Sequence, residues 1–376
     1  MRNLLATFSL ALSLNLLGTD NQYQVVDTGQ ERCYDSSKEI PYPKTGEDFY
    51  GQDAQFQGLA PSYKVNGDGT VSDLNTGLMW LQDPGPKKTF DQAVAGARNC
   101  RTGGHDDWRM PTIKELYSLI DFRGTDPNPT SRDTSSLRPF IDSKAFKFQY
   151  GKEEDGDRII DSQFATSSVY KASTMDGNRT MFGVNFADGR IKGYPIGDIH
   201  GRGEKKYYVL YVRGNPDYGK NQFSDNGDGT VTDKATGLVW SKSDSGKGMD
   251  WHDALAWVRR KNAEKYLGHD DWRLPNAKEL QSIVDYQRCP DATDSPAIDP
   301  VFQTTQITNK AGSKDYPNFW TGTTHCSSGG NSDRAVYISF GRAMGYMHGK
   351  WMDVHGAGAQ RSDLKSGDPS MVPQGR

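Results

Sequence analysis

Two kinds of hydrophobic spacing follow one another along the chain. Short β-prone runs come first: Thr70-Val71-Ser72 and Leu78-Met79-Trp80 flank Asn75-Thr76-Gly77, which predicts a β-hairpin with Val71, Leu78 and Trp80 buried. Helical spacing follows, with Phe90, Ala93, Val94 and Ala97 at i, i+3, i+4 and i+7. Thr89 and Gln92 form a capping box at its start. After Pro111 a second helix is predicted to bury Ile113, Leu116, Leu119 and Ile120, with Thr112 and Glu115 as its capping box. Phe182 to Phe186, Arg190 to Tyr194 and Tyr207 to Arg213 read as short late strands.

The same order then recurs. "NGDGTVSDLNTGLMW" (Asn66 to Trp80) returns as "NGDGTVTDKATGLVW" (Asn226 to Trp240), and "GHDDWRMPTIKELYSLIDF" (from Gly104) as "GHDDWRLPNAKELQSIVDY" (from Gly268). "VNFADGRIKGY" (from Val184) and "GDIHGRG" (from Gly197) return as "VYISFGRAMGY" (from Val336) and "MDVHGAG" (from Met352). The second helices repeat too: Trp251, Ala254, Leu255 and Val258 follow the cap Asp250, and Ala277, Leu280, Ile283 and Val284 follow Asn276 with Glu279. This pattern is a tandem duplication, one α+β domain per copy, each with two helices and short antiparallel strands separated by long loops. The expected boundaries are a leader over 1–19, an arm over 20–62, domains over 63–214 and 222–362, and a disordered tail over 363–376. Copy one ends in "KKYYVLYVR", a strong strand, and copy two shows no counterpart after His355. Either another element fills that place or the second sheet keeps an open edge.

Composition narrows the setting. The 376 residues carry a net charge of −3 with dispersed Lys and Arg, which gives nucleic acid no basic face to bind. The run from Leu4 to Leu17 follows one Arg and precedes polar sequence, the layout of a secretory signal; no other stretch is apolar enough to span a membrane. Secreted, periplasmic or cell-surface location follows, and with it the option of disulfides. Cys289 and Cys326 are both present in copy two, and both counterparts in copy one are absent, which favours a Cys289–Cys326 bond and leaves Cys33 to pair with Cys100; the alternative is one pair left free.

The motifs "DNGDGTVTD..TGLVW", "GHDDWRLPNAKEL", "FWTGTTH" and the late "GR..GY" resemble the Lcl C-terminal domain family, named for a bacterial collagen-like surface protein. The resemblance covers roughly 64–213 and 223–360. It implies a C-type-lectin-like fold in exported bacterial proteins; the collagen-like member is an adhesin that binds sulfated glycosaminoglycans. Copy one departs from the pattern with Ala165 where copy two has Trp320.

Candidate chemistry is thin. The "NGDGT" loops suggest calcium. Registered on an EF-hand loop, however, both lack the closing acid, and Lys64 falls on a ligand position, so a Gly-rich turn is the better reading. In "HDDWR" the Arg is expected to pair with a neighbouring Asp and anchor the loop. "KEEDGDR" (Lys152 to Arg158) reads as an exposed acidic loop. Asp198 with His200, and Asp353 with His355, place an acid two residues before a His; such a pair could orient a base or a metal ligand, with His325 and His348 joining it in copy two, or simply cap a turn. No GxSxG, HExxH, P-loop or CxxC is present. The expectation is therefore a binding or adhesion protein for a surface or matrix glycan or a protein, with Trp320, Tyr346, His355 and Arg361 as contacts. The alternatives are an enzyme built on the Asp–His loops and a structural component of the envelope.

Overall fold

The computed structural model describes residues 5–7, 11–12, 22–199, 201 and 203–367. Most of the leader, His200 and the tail from 368 lie outside it. At the N-terminus are β1 (Leu5–Thr7) and β2 (Ala11–Leu12), and in the arm β3 (Cys33–Tyr34) and β4 (Glu39–Ile40). Copy one comprises β5 (Tyr63–Val65), β6 (Thr70–Asp73), β7 (Leu78–Leu81), α1 (Phe90–Asn99), α2 (Ile113–Tyr117), β8 (Gln163–Thr174), β9 (Asn178–Asn185), β10 (Arg190–Pro195) and β11 (Val212–Gly214). Copy two comprises β12 (Phe223–Asp225), β13 (Thr230–Asp233), β14 (Leu238–Ser241), α3 (Trp251–Ala263), α4 (Ala277–Ser282), α5 (Pro290–Thr293), β15 (Ile307–Thr308), β16 (Lys314–Asp315), β17 (Asn318–His325), β18 (Arg334–Ser339), β19 (Met344–Met347), β20 (Lys350–Asp353) and β21 (Gln360–Leu364).

Local sequence explains the local elements. Val71, Leu78 and Trp80 are buried where the hairpin pattern puts them, as are Val231 and Trp240 in copy two. The three expected capping boxes form: Thr89 with Gln92, Thr112 with Glu115, and Asn276 with Glu279. Asp250 caps α3 by accepting the Asp253 N–H. Helix α2 stops at Tyr117, earlier than the apolar pattern, yet Leu119 and Ile120 remain buried in the turns that follow. Tyr207 to Val212 is extended and alternates: Tyr207, Val209 and Tyr211 enter one core, and Tyr208, Leu210 and Val212 enter another.

The two copies merge in a seven-stranded sheet of order β1-β17-β18-β21-β10-β9-β8. Strands β10 and β21 join them, with Ile191 opposite Gln360. These two residues hold equivalent places: Ile191 pairs with Val184 on β9, as Gln360 pairs with Ile338 on β18. Equivalent residues meeting each other is the signature of a two-fold axis. The helices obey the same symmetry. Lys114 Nζ donates to the Ser282 carbonyl at 2.6 Å, and Lys278 Nζ to the Ser118 carbonyl at 2.8 Å. Burial pushes both ammonium groups down to about 8. One hydrophobic cluster runs through both copies, from Trp80 to Trp240 and Phe340, so they fold around a shared core.

Three expectations change here. The sequence register equates Arg342–Tyr346 with Arg190–Tyr194. In the sheet, however, β21 takes the place of β10, and the stretch after Arg342 runs out into the β19–β20 ribbon. Residues 363–367, expected in a disordered tail, are part of the fold: β21 reaches Leu364 and Lys365 Nζ bonds the Asp35 carbonyl at 2.9 Å. All four cysteines are free, so neither expected disulfide forms. Cys326 lies against Tyr34 of the arm, Cys289 caps α5 beside Tyr170, and Cys100 sits near Tyr211. Comparing copies shows which residues appear together, not which come within bonding distance.

Candidate functional site

The tip of the β8–β9 hairpin of copy one meets the β19–β20 ribbon of copy two. Met175 N–H donates to the Asp353 carbonyl at 2.9 Å, and Lys350 pairs with Asp176 at 2.6 Å. Between them opens a cleft of about 450 Å³, a size that suits a small ligand. Ala172 and Ser173 line one wall; Asn309, Ser313, Arg342, Trp351 and Asp353 are among the residues of the other. The indole of Trp351 has the Lys310 ammonium over it at 4.2 Å and Tyr346 at its edge, with ring centroids 5.4 Å apart. Tyr346 is 44% exposed. Arg342 pairs with Asp291 at 2.6 Å and approaches Asp315 at 3.5 Å.

Asp353 sits at the base of this cleft. Its carboxylate accepts the Tyr170 hydroxyl at 3.0 Å and the Gly356 N–H at 2.8 Å. Burial pushes it up to about 7, against the pull of those two donors, and Asp291 and Asp315 add repulsion. A carboxyl raised above its unfolded value of roughly 3.9 costs stability once it ionises. Stability therefore falls as pH rises from the unfolded value toward 7. Asp353→Asn is expected to raise the unfolding temperature at pH 8 and to change it much less at pH 5. Thermal melts at both values check this, and an equal effect at both would contradict it.

The other expected contacts lie elsewhere. Trp320 is fully buried and donates Nε1–H to the Met249 carbonyl at 3.1 Å, so it fills the core of copy two and offers no ligand platform. Arg361 is drawn into the middle of the sheet beside Tyr337 and Arg190, where burial lowers its pKa. His355 is held neutral by burial, with Arg361 and Lys192 nearby. In copy two the Asp353 carboxylate bonds Tyr170 and Gly356 and not His355. Asp198 accepts the N–H groups of Gly201 and Gly203, and Asp353 accepts that of Gly356, so both aspartates close a turn. His200 lies outside the described residues. His325 is buried between Asp188 and Ser362, and His348 is exposed on the ribbon near Asp176.

Two loops read as motifs are now explained locally. In both "NGDGT" turns the aspartate (Asp68, Asp228) accepts the N–H and hydroxyl of the Thr two residues on, and the asparagine bridges that Thr to the next strand position. One oxygen of each aspartate is thus engaged by the turn itself. Adding a chelator is expected to leave the unfolding temperature unchanged; a clear fall would reinstate calcium. In "HDDWR" the Arg partner is not the adjacent Asp. Arg109 is bidentate to Glu115 at 2.7 and 2.5 Å, and Arg273 to Glu279 at 2.6 and 2.6 Å. The glutamate is the one that closes the helix capping box, so one carboxylate ties the loop to the helix start. Among the described residues, one cluster has metal-ligand composition, Asp250, His252 and Asp253 at the exposed start of α3, and nothing beside it points to an ion.

A family model described as the Lcl C-terminal domain matches residues 69–213 and again 229–356. The chain belongs to the Lcl C-terminal domain family. No curated protein and no solved structure matches it. Among the described residues no helix is long and apolar enough to cross a membrane. In this member of the Lcl C-terminal domain family the cleft belongs to neither repeat alone. Sequence reasoning missed Trp351, Lys310 and Asn309, because it sought function in what the copies share, and it took Arg342 only as part of the shared "GR..GY" motif. One signal was available: in the register of "GDIHGRG" and "MDVHGAG", Trp351 stands where copy one has Ile196, a buried aliphatic residue.

Proposed function

We propose that the protein is an exported binding protein that holds an uncharged, hydroxyl-rich ligand, a glycan segment, in the cleft between the β8–β9 tip and the β19–β20 ribbon. The observation that carries this reading is a partly exposed indole set in a cleft that mixes polar groups with alanine and methionine side chains. An aromatic face takes the C–H side of a sugar ring, and fixed polar groups around it take the hydroxyls. Asn309, Ser173, Ser313 and the Asp291–Arg342 pair are the groups at hand. Arg342, the cation in the lining, is already paired with Asp291 and Asp315, which favours a neutral ligand over a sulfated one, although the Lys310 ammonium over Trp351 keeps its charge. The leader pattern supports export, and the lectin-like fold that the family resemblance implies agrees with sugar binding.

A glycan array probed with the purified protein and with Trp351→Ala tests this. Binding to neutral glycans that the variant loses supports it. Silence on neutral glycans, or binding that Trp351→Ala leaves intact, sinks it.

A further inference from the structure

The N-terminal strands occupy a place that copy one fills from its own C-terminal end. In copy one the closing segment runs parallel to β8 at Tyr208, opposite Phe164, and antiparallel to β7 at Val212, opposite Trp80. In copy two the equivalents of Phe164 and Trp80 are Phe319 and Trp240. Their partners come from the N-terminus: β1 runs parallel to β17 with Ala6 opposite Phe319, and β2 runs antiparallel to β14 with Ala11 opposite Trp240. Both strand senses and both contact positions are reproduced, by a segment with no sequence relation to "KKYYVLYVR". Agreement at two points on two different sheets is more than an unpaired edge attracting any loose strand.

We propose that the apolar N-terminal segment is the closing strand of the second domain, so that the residues with the pattern of an export signal also complete a fold. The physical need is plain. Without that segment the outer edges of β14 and β17 present unpaired N–H and C=O groups beside a buried core that includes Trp240 and Trp320. A chain from which the segment has been cut carries an open slot of the kind that accepts an extended apolar strand. Export processing and closure of domain two thus draw on the same residues.

Hydrogen exchange read by mass spectrometry tests this, with residues 238–241 and 318–325 as reporters and the equivalent residues 78–81 of copy one as the control. The full chain is compared with a chain beginning at Gln22 and with the full-length double variant Ala6→Pro/Ala11→Pro. Proline removes ladder donors without deleting the segment, which keeps the test readable if the shorter chain folds poorly. Exchange at the reporters is expected to speed up roughly tenfold or more in both altered chains, with 78–81 unchanged. A synthetic peptide of residues 4–13 added to the shorter chain is expected to restore the protection. Equal exchange in all three chains overturns the proposal. So does protection in the full chain that disappears on dilution together with a dimer, since the strand would then come from a second copy.

Discussion

Glu279→Ala is expected to lower stability by about 3–5 kcal/mol, the range for breaking a buried ion pair from one side. Its Arg273 partner is 5% exposed, and its guanidinium also lies over Phe56 at 5.5 Å. Removing the carboxylate strands that charge, and it frees the Asn276 N–H, which Glu279 accepts at 2.8 Å. The duplication supplies its own control. Glu115 makes the same bonds to Arg109 and to the Thr112 N–H, but the Arg109 side chain is 35% exposed and can turn to water. Glu115→Ala is therefore expected to cost about 1–2 kcal/mol, closer to the loss of ordinary charged hydrogen bonds. Urea unfolding of both variants measures the difference. Equal losses would mean that solvent access to the arginine does not decide the cost.

Trp351→Ala is expected to weaken glycan binding by about 2 kcal/mol, roughly thirtyfold, as truncation of a central aromatic anchor does. It should leave the fold intact, because Trp351 stands on a two-stranded ribbon at the rim and is not part of either shared core. Trp320→Leu is expected to show the reverse. Trp320 packs in the core of copy two, against the helix that carries Trp251 and Leu255. Its replacement should lower stability and leave the affinity of the folded protein near the parent value. Calorimetric titration beside thermal melts separates the two effects. A Trp320 variant that loses affinity while keeping its melting temperature would return the site to the residue that the sequence pattern favours.

What the sequence showed well was local. Hairpins, caps and helix faces follow from residues within a few positions of each other, and Thr112, Asn276, Val71 and Trp240 all behave accordingly. The two-domain α+β organisation followed from the repeat itself. Partners within a loop were harder: Asp107 and Arg109 are neighbours in sequence, but Arg109 turns to Glu115 while Asp107 pairs with Arg213 at 2.6 Å. The side chain that completes a capping box points back along the chain, and it meets the arginine there. The cleft was least legible. Its walls come from residues near 172, 291, 309–313 and 342–353, and the packing of the two copies, through β10 with β21 and the hairpin tip against the ribbon, brings them together. A repeat draws attention to shared motifs, and most of these proved to be turns, caps and core. Some residues of the cleft, Trp351 among them, stand where the copies differ, while Arg342 and Asp353 belong to motifs that recur.

A crystal structure of the protein with the neutral glycan that binds best on the array tests the central claim most directly. A sugar ring is expected against Trp351, with hydroxyls within hydrogen-bonding distance of Asn309, Ser313 or the Asp291–Arg342 pair. A sugar bound elsewhere, with the cleft beside Trp351 empty, would contradict it.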